Sequence, residues 1–158
     1  MKPFIALICV VLVNWAAFAA DDKPAIKLSN AEQKILDSTN QERAAAKLPP
    51  LKPNATLMKV ARAHAANMAN QGKMEHELDR KNPGDRIRDA GYVFSWYAEN
   101  IAAGGGWSLD AVMQTWMESE GHRANILSDK VDEIGIGIVS DGKATTYYAQ
   151  VFGRQDKR

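Results

Sequence analysis

Ile134-Gly135-Ile136-Gly137-Ile138, then Asp141-Gly142, then residues 143–152 (KATTYYAQVF), form the stretch that decides the fold. Three isoleucines alternate with two glycines, the period of two that puts one set of side chains on one face of a strand. Asp-Gly is a strong signal for a tight hairpin turn, and residues 143–152 supply the returning strand. The chain therefore ends in an antiparallel hairpin. Everything upstream has to cover it.

The upstream pattern is helical. Ser29-Asn30-Ala31-Glu32 has the spacing of a capping box, in which hydroxyl and carboxylate each accept a free backbone N–H. A helix is expected from there to about Ala46, before Pro49-Pro50. Asn54 caps a second helix that Gly72 ends; Leu57, Val60, Ala61, Ala65 and Met68 follow the rhythm of one buried face. Pro83-Gly84-Asp85 opens a short third helix closed by Gly91, and residues 92–103 hold a short strand. Gly104-Gly105-Gly106 reads as a flexible turn. Leu109, Val112, Met113 and Trp116 then mark a fourth amphipathic helix with Ser108 as its cap. Helices first and a hairpin last describe an α+β layered domain.

The 158 residues suit a single domain, and 46% hydrophobic content excludes a disordered chain. Eleven glycines and one cysteine exclude collagen and disulfide-scaffold classes. A net charge of +1, with no basic stripe, offers nothing to nucleic acid. Residues 1–20 read as a signal peptide: Met1-Lys2-Pro3, an apolar run over 4–13, then Ala17-Phe18-Ala19 before Asp21-Asp22. As a membrane anchor that run is shorter than the ~20 residues needed to span, and Asn14 follows it, so no stable membrane span is expected after cleavage. Residues 21–28 form a loose lead-in, residues 29–153 the domain and residues 154–158 a tail. Cys9 falls in the leader, so the mature chain has no disulfide. Export to the periplasm or the exterior follows, with a core or a bound ion as the source of stability.

Three histidines are available for chemistry. His64 lies on the apolar face of the second helix and reads as a packed histidine with its polar edge satisfied. His76 follows Gly72 on a loop with Glu75, Glu77 and Asp79, where a solvated charged loop and a functional imidazole are equally open. His122, in Ser119-Glu120-Gly121-His122-Arg123, is placed just beyond the fourth helix, where Gly121 permits a turn towards a cleft. Capping of a helix C-terminus is the alternative there. Glu99, between apolar neighbours in Ala98-Glu99-Asn100-Ile101, needs a cationic, imidazole or metal partner once desolvated. No zincin helix, Gly-x-Ser-x-Gly elbow, phosphate-binding glycine loop or mature cysteine nucleophile is present. Glu118 and Glu120 read as neighbouring surface acids rather than a glycosidase pair.

Several motifs fit one family in order: Asn40-Gln41-Glu42-Arg43, Leu48-Pro49-Pro50-Leu51, Ala61-Arg62-Ala63-His64-Ala65-Ala66-Asn67-Met68-Ala69, and Asp85-Arg86-Ile87 with Gly91-Tyr92. Ala98-Glu99-Asn100-Ile101, residues 116–127 (WMESEGHRANIL) and Gln150-Val151-Phe152-Gly153 complete the set. Over residues 28–153 the chain resembles the CAP superfamily (cysteine-rich secretory, antigen 5 and pathogenesis-related, SCP-like), in its cysteine-poor bacterial branch. The resemblance implies a three-layer α-β-α sandwich with a central antiparallel sheet and an open cleft. It also implies cleft histidines and acids that in some relatives hold zinc or another divalent metal. His76 and Glu99 match two of those positions. The other two depart, falling on Ser119 and Tyr147, while His122 of the bacterial pattern enters the same cleft.

His76, Glu99 and His122 are thus the expected ligand-binding cleft and the candidate metal ligands. Two imidazoles and a carboxylate suit zinc with one position left for water. Without metal they form a charge-assisted hydrogen-bond cluster. The expected function is a secreted binding or interaction module for a small apolar or cell-envelope ligand, in preference to an enzyme. The alternative is a metal-assisted hydrolase of peptides or envelope polymers, with Glu118 or Glu99 as base. A third reading is a structural envelope protein whose polar cluster only stabilises the fold.

Overall fold

Ser29 starts the first helix, α1 (Asn30–Ala45), through the expected capping box: its hydroxyl accepts from the Glu32 N–H at 3.2 Å, and Glu32 Oε2 accepts from the Ser29 N–H at 2.7 Å. The computed structural model describes residues 26–156. The leader, most of the lead-in and the last two residues of the tail lie outside that range. Asn54 caps α2 (Ala55–Gln71) by accepting from the Thr56 and Leu57 N–H groups, and Gly72 ends it in the left-handed conformation at φ 64°. Between these helices, β1 (Lys52–Pro53) is a two-residue strand that the sequence did not signal.

Asn82 caps α3 (Pro83–Asp89), with proline in the first turn where its missing N–H costs nothing. The strand expected within residues 92–103 is eleven residues long, β2 (Phe94–Gly104). Next come α4 (Leu109–Glu118), capped by Ser108, and α5 (Glu120–Ile126), and then the hairpin of β3 (Glu133–Ser140) and β4 (Thr146–Gln155). The turn expected at Gly121 is instead the first turn of α5, and this glycine carries no positive φ.

The sheet runs in the order β1-β3-β4-β2. β4 pairs antiparallel with both β3 and β2, and β1 adds a short parallel edge to β3. Alternation along the strands builds two cores. Ile134, Ile136, Tyr148 and Phe152 meet Ile35 of α1, Val112 and Trp116 of α4, and Ile126 of α5 on one face. Ile101, Tyr147, Ala149 and Val151 meet Leu57, Ala61, Ala65 and Met68 of α2 and Ile87 of α3 on the other. The result is the expected α-β-α sandwich. Gly135 and Gly137 point to the α2 face, and there the helix backbone lies directly on the strand.

Candidate functional site

Neighbouring residues of β2 face opposite ways, so Glu99 and Asn100 enter different layers. Glu99, its side chain only 2% exposed, turns towards α2 and α3. Arg86 of α3 donates from Nη2 to Glu99 Oε2 at 2.7 Å, and His76 Nδ1 lies 2.9 Å from Oε1. His64 of α2 puts Nε2 3.7 Å from the same Oε1. Arg86 is fixed in turn by donating from Nη1 to the backbone carbonyls of His76 and Lys81. A carboxylate this deep needs a charged partner, and Arg86 supplies it. His76 is half exposed at the rim; in the tautomer that donates Nδ1–H to Glu99, its Nε2 is free to accept.

Asn100 turns the other way into a polar chain whose Asn100, Gln150 and Thr39 members are fully buried. Its amide donates to the His122 carbonyl at 3.0 Å and to Gln150 Oε1 at 3.2 Å; Gln150 then donates to Thr39 Oγ1 at 2.8 Å. Asn125 of α5 donates to Asn100 Oδ1 and to the Glu99 carbonyl. These bonds bind α5 to the free edge of β2. They fix the backbone of His122 beside that edge. Burial first, and the electrostatic influence of His76 second, hold the His122 pKa below its usual value. His122 Nδ1 is buried with no hydrogen-bond partner among the described residues.

The structure thus brings His76 and Glu99 into direct contact and holds His122 on the neighbouring element. Two participants were missed. Arg86 stood inside a quoted motif without a role, since nothing in a single sequence reveals that α3 aims it at β2. His64 is packed as expected, but its polar edge is not satisfied: neither ring nitrogen has a well-formed hydrogen bond. Ser119 caps α5 through its backbone alone, and Tyr147 lies in the α2-side core.

Whether these residues fit a metal can be judged from the donors. Both Glu99 oxygens are engaged, one by a fixed guanidinium cation. Among the described residues, no group of three His, Cys, Asp or Glu side chains is placed to hold an ion. The donor set does not fit zinc.

His64 makes stability depend on pH. Burial pushes its pKa below the ordinary value of about 6.5; Glu99 raises it, Arg86 and His76 lower it, and the Glu75 backbone raises it. Below pH ~6.5 the unfolded chain therefore binds a proton that the folded chain refuses, so stability falls as pH drops through that window. His122 adds in the same direction. Melting temperature should decline from pH 7.5 to 5.5 in the native protein and decline less in His64→Gln. Equal slopes would assign the titration elsewhere.

The cysteine-rich secretory protein (CAP) family model matches residues 36–152. The YkwD protein of Bacillus subtilis strain 168 is 36% identical over 120 residues, which is 75% of this chain and 46% of that protein. This chain spans less than half the length of that relative. Among solved structures, an outer surface protein from Borrelia burgdorferi aligns with a TM-score of 0.77 at 22% identity, covering 83% of this chain and 97% of that one. An extracellular SCP-domain protein from Bacillus anthracis str. Ames aligns at 0.72 and 28% identity, covering 83% and 45%.

Proposed function

This chain belongs to the cysteine-rich secretory protein family, and on that premise we propose that it is an exported binding module. Its ligand is a small apolar or cell-envelope molecule received beside Glu99, His76 and His122. The observation that carries this reading is the arrangement at Glu99. A buried carboxylate, oriented by a fixed Arg86, holds the half-exposed His76 through its Nδ1. Preorganised polar groups at a rim give orientation and specificity to a ligand whose body rests on apolar surface. An exposed Met74 two residues from His76 offers such surface.

The test is a titration of the protein with soluble peptidoglycan fragments, and separately with short-chain phospholipid below its micelle concentration. Backbone amide shifts of His76, Glu99 and His122 are followed by NMR. One probe should shift these amides saturably, and His76→Ala should weaken it about tenfold, the value of one charge-assisted contact. If neither probe moves them, the cleft reading fails.

Metal-assisted hydrolysis finds no donor set here among the described residues. Calorimetric titration with zinc is expected to show no one-to-one binding. A stoichiometric site lost in both His76→Ala and His122→Ala would restore the hydrolase reading.

A further inference from the structure

The side chain of His64 in α2 is fully buried, yet neither ring nitrogen has a well-formed hydrogen-bond partner among the described residues. Folded chains ordinarily avoid that state, because the ring gives up water without replacing it. Its Nε2 lies 3.7 Å from Glu99 Oε1, the same oxygen that His76 Nδ1 meets at 2.9 Å. Two imidazoles, one from α2 and one from the loop that follows it, thus address a single oxygen. They differ in freedom: His76 is half-exposed at the rim, while His64 is enclosed. The other oxygen, Oε2, stays with Arg86 at 2.7 Å, so the carboxylate is held whichever imidazole is bonded to Oε1. The Glu75 backbone, adjoining His76, is a further, weak acceptor for His64.

We propose that His64 is the reserve partner of Glu99: when His76 leaves Oε1, the His64 ring closes by about 0.8 Å and donates from Nε2 in its place. Without a substitute, withdrawing His76 would strip a hydrogen bond from a carboxylate that is only 2% exposed, which is the costly way to lose one. With a substitute, the bared acceptor and the unpaired buried donor satisfy each other. A neutral imidazole has one N–H, and the carboxylate favours the tautomer that carries it on Nε2. His76 is thereby free to turn to a ligand at the rim, and His64 is a positioning residue for that movement. The consequence for a ligand rests on the cleft reading; the exchange of partners does not.

The experiment therefore needs no ligand. The imidazole N–H signals of the full chain, with isotope-labelled histidine, are followed by NMR at about pH 8, above the ordinary imidazole range. In His76→Ala the His64 Nε2–H proton should move downfield, the mark of a shorter hydrogen bond to a carboxylate. A double-mutant cycle runs beside it with His64→Phe, which keeps a ring and removes both nitrogens. His76→Ala should lower the melting temperature by about 4 °C more in the His64→Phe background than in the native one. An unmoved His64 signal in His76→Ala would mean that water takes the vacated bond, and would overturn the proposal. Equal losses in the two backgrounds would overturn it as well. Should His64→Phe not fold, the His64 signal decides alone. Failure of the peptidoglycan and phospholipid probes with the exchange intact would remove the cleft reading and leave this one standing.

Discussion

Replacing Gly135 or Gly137 by alanine is expected to destabilise the protein by about 3 kcal/mol at either site, lowering the melting temperature by roughly 10 °C. Neither glycine has a positive φ, so the cause is space rather than backbone freedom. A Cβ on Gly135 would fall on the Leu57 carbonyl, and one on Gly137 on the Ala61 carbonyl. Both obstacles are helix backbone, which cannot rotate aside as a side chain can. One added methyl must therefore lift α2 from β3, opening gaps beneath Leu57, Ala61 and Ala65, all fully buried. Gly121 is the control. It lies in α5, where a methyl group added at its Cα would meet nothing within 4 Å. Gly121→Ala should stabilise by about 0.5–1 kcal/mol, because alanine loses less backbone freedom in a helix. Chemical denaturation of the three variants decides the matter, and a Gly137→Ala protein as stable as the native one would refute the close-packing account.

The same two glycines show what the sequence made legible. Their alternation with Ile134, Ile136 and Ile138 announced a strand with one bulky face, and the caps at Ser29, Asn54 and Ser108 located three helix starts through local hydrogen bonding. Such features depend on residues within a few positions of one another. The parallel pairing of Lys52–Pro53 with β3 depends on residues some eighty positions apart, and a two-residue strand has no period to detect. Helix α5 was hidden because Gly121 is a poor helix former; its place is fixed by tertiary bonds from Asn100 and Asn125.

The candidate site divides in the same way. Glu99 was identifiable from its Ala98-Glu99-Asn100-Ile101 motif and His76 only through the family resemblance, and the structure joins them at 2.9 Å. Arg86 and the tilt of His64 towards Glu99 follow from how α2 and α3 pack on β2, which no local pattern encodes. The consequence is chemical: of the cationic, imidazole or metal partners expected for this carboxylate, the guanidinium of Arg86 and the imidazole of His76 are both present. Arg86 takes the position of the cation that the sequence motif alone left open.

Arg43→Ala is expected to cost about 4 kcal/mol, by loss of a clamp rather than of an ion pair. The Arg43 side chain is buried, the residue being 1% exposed, and has no carboxylate partner in hydrogen-bond contact among the described residues. Its Nε donates to the Pro49 carbonyl at 2.9 Å, and its Nη1 donates to the carbonyls of Ile126 and Ser128 at 2.8 Å each. One side chain of α1 thus ties the Pro49-Pro50 bend to the end of α5. Two effects compete on removal. Desolvating the guanidinium is costly; burial lowers its pKa, Arg154 lowers it further and Asp129 raises it, so removal relieves that cost. Against this, three carbonyls lose a charged donor, each bond being worth about 1.5–3 kcal/mol, and the carbonyl end of α5 loses a favourable cation. The bonds outweigh the relief. Arg43→Met retains most of the buried volume and separates packing from bonding: it should remain about 3 kcal/mol less stable than the native protein. Arg43→Lys should fall between, since one ammonium cannot address both the bend and the helix end as the planar fork does. Urea denaturation of the series measures all three. Should Arg43→Met match the native protein, the desolvation cost would be the winning effect, and Arg43 would be filling space rather than fastening α1 to α5.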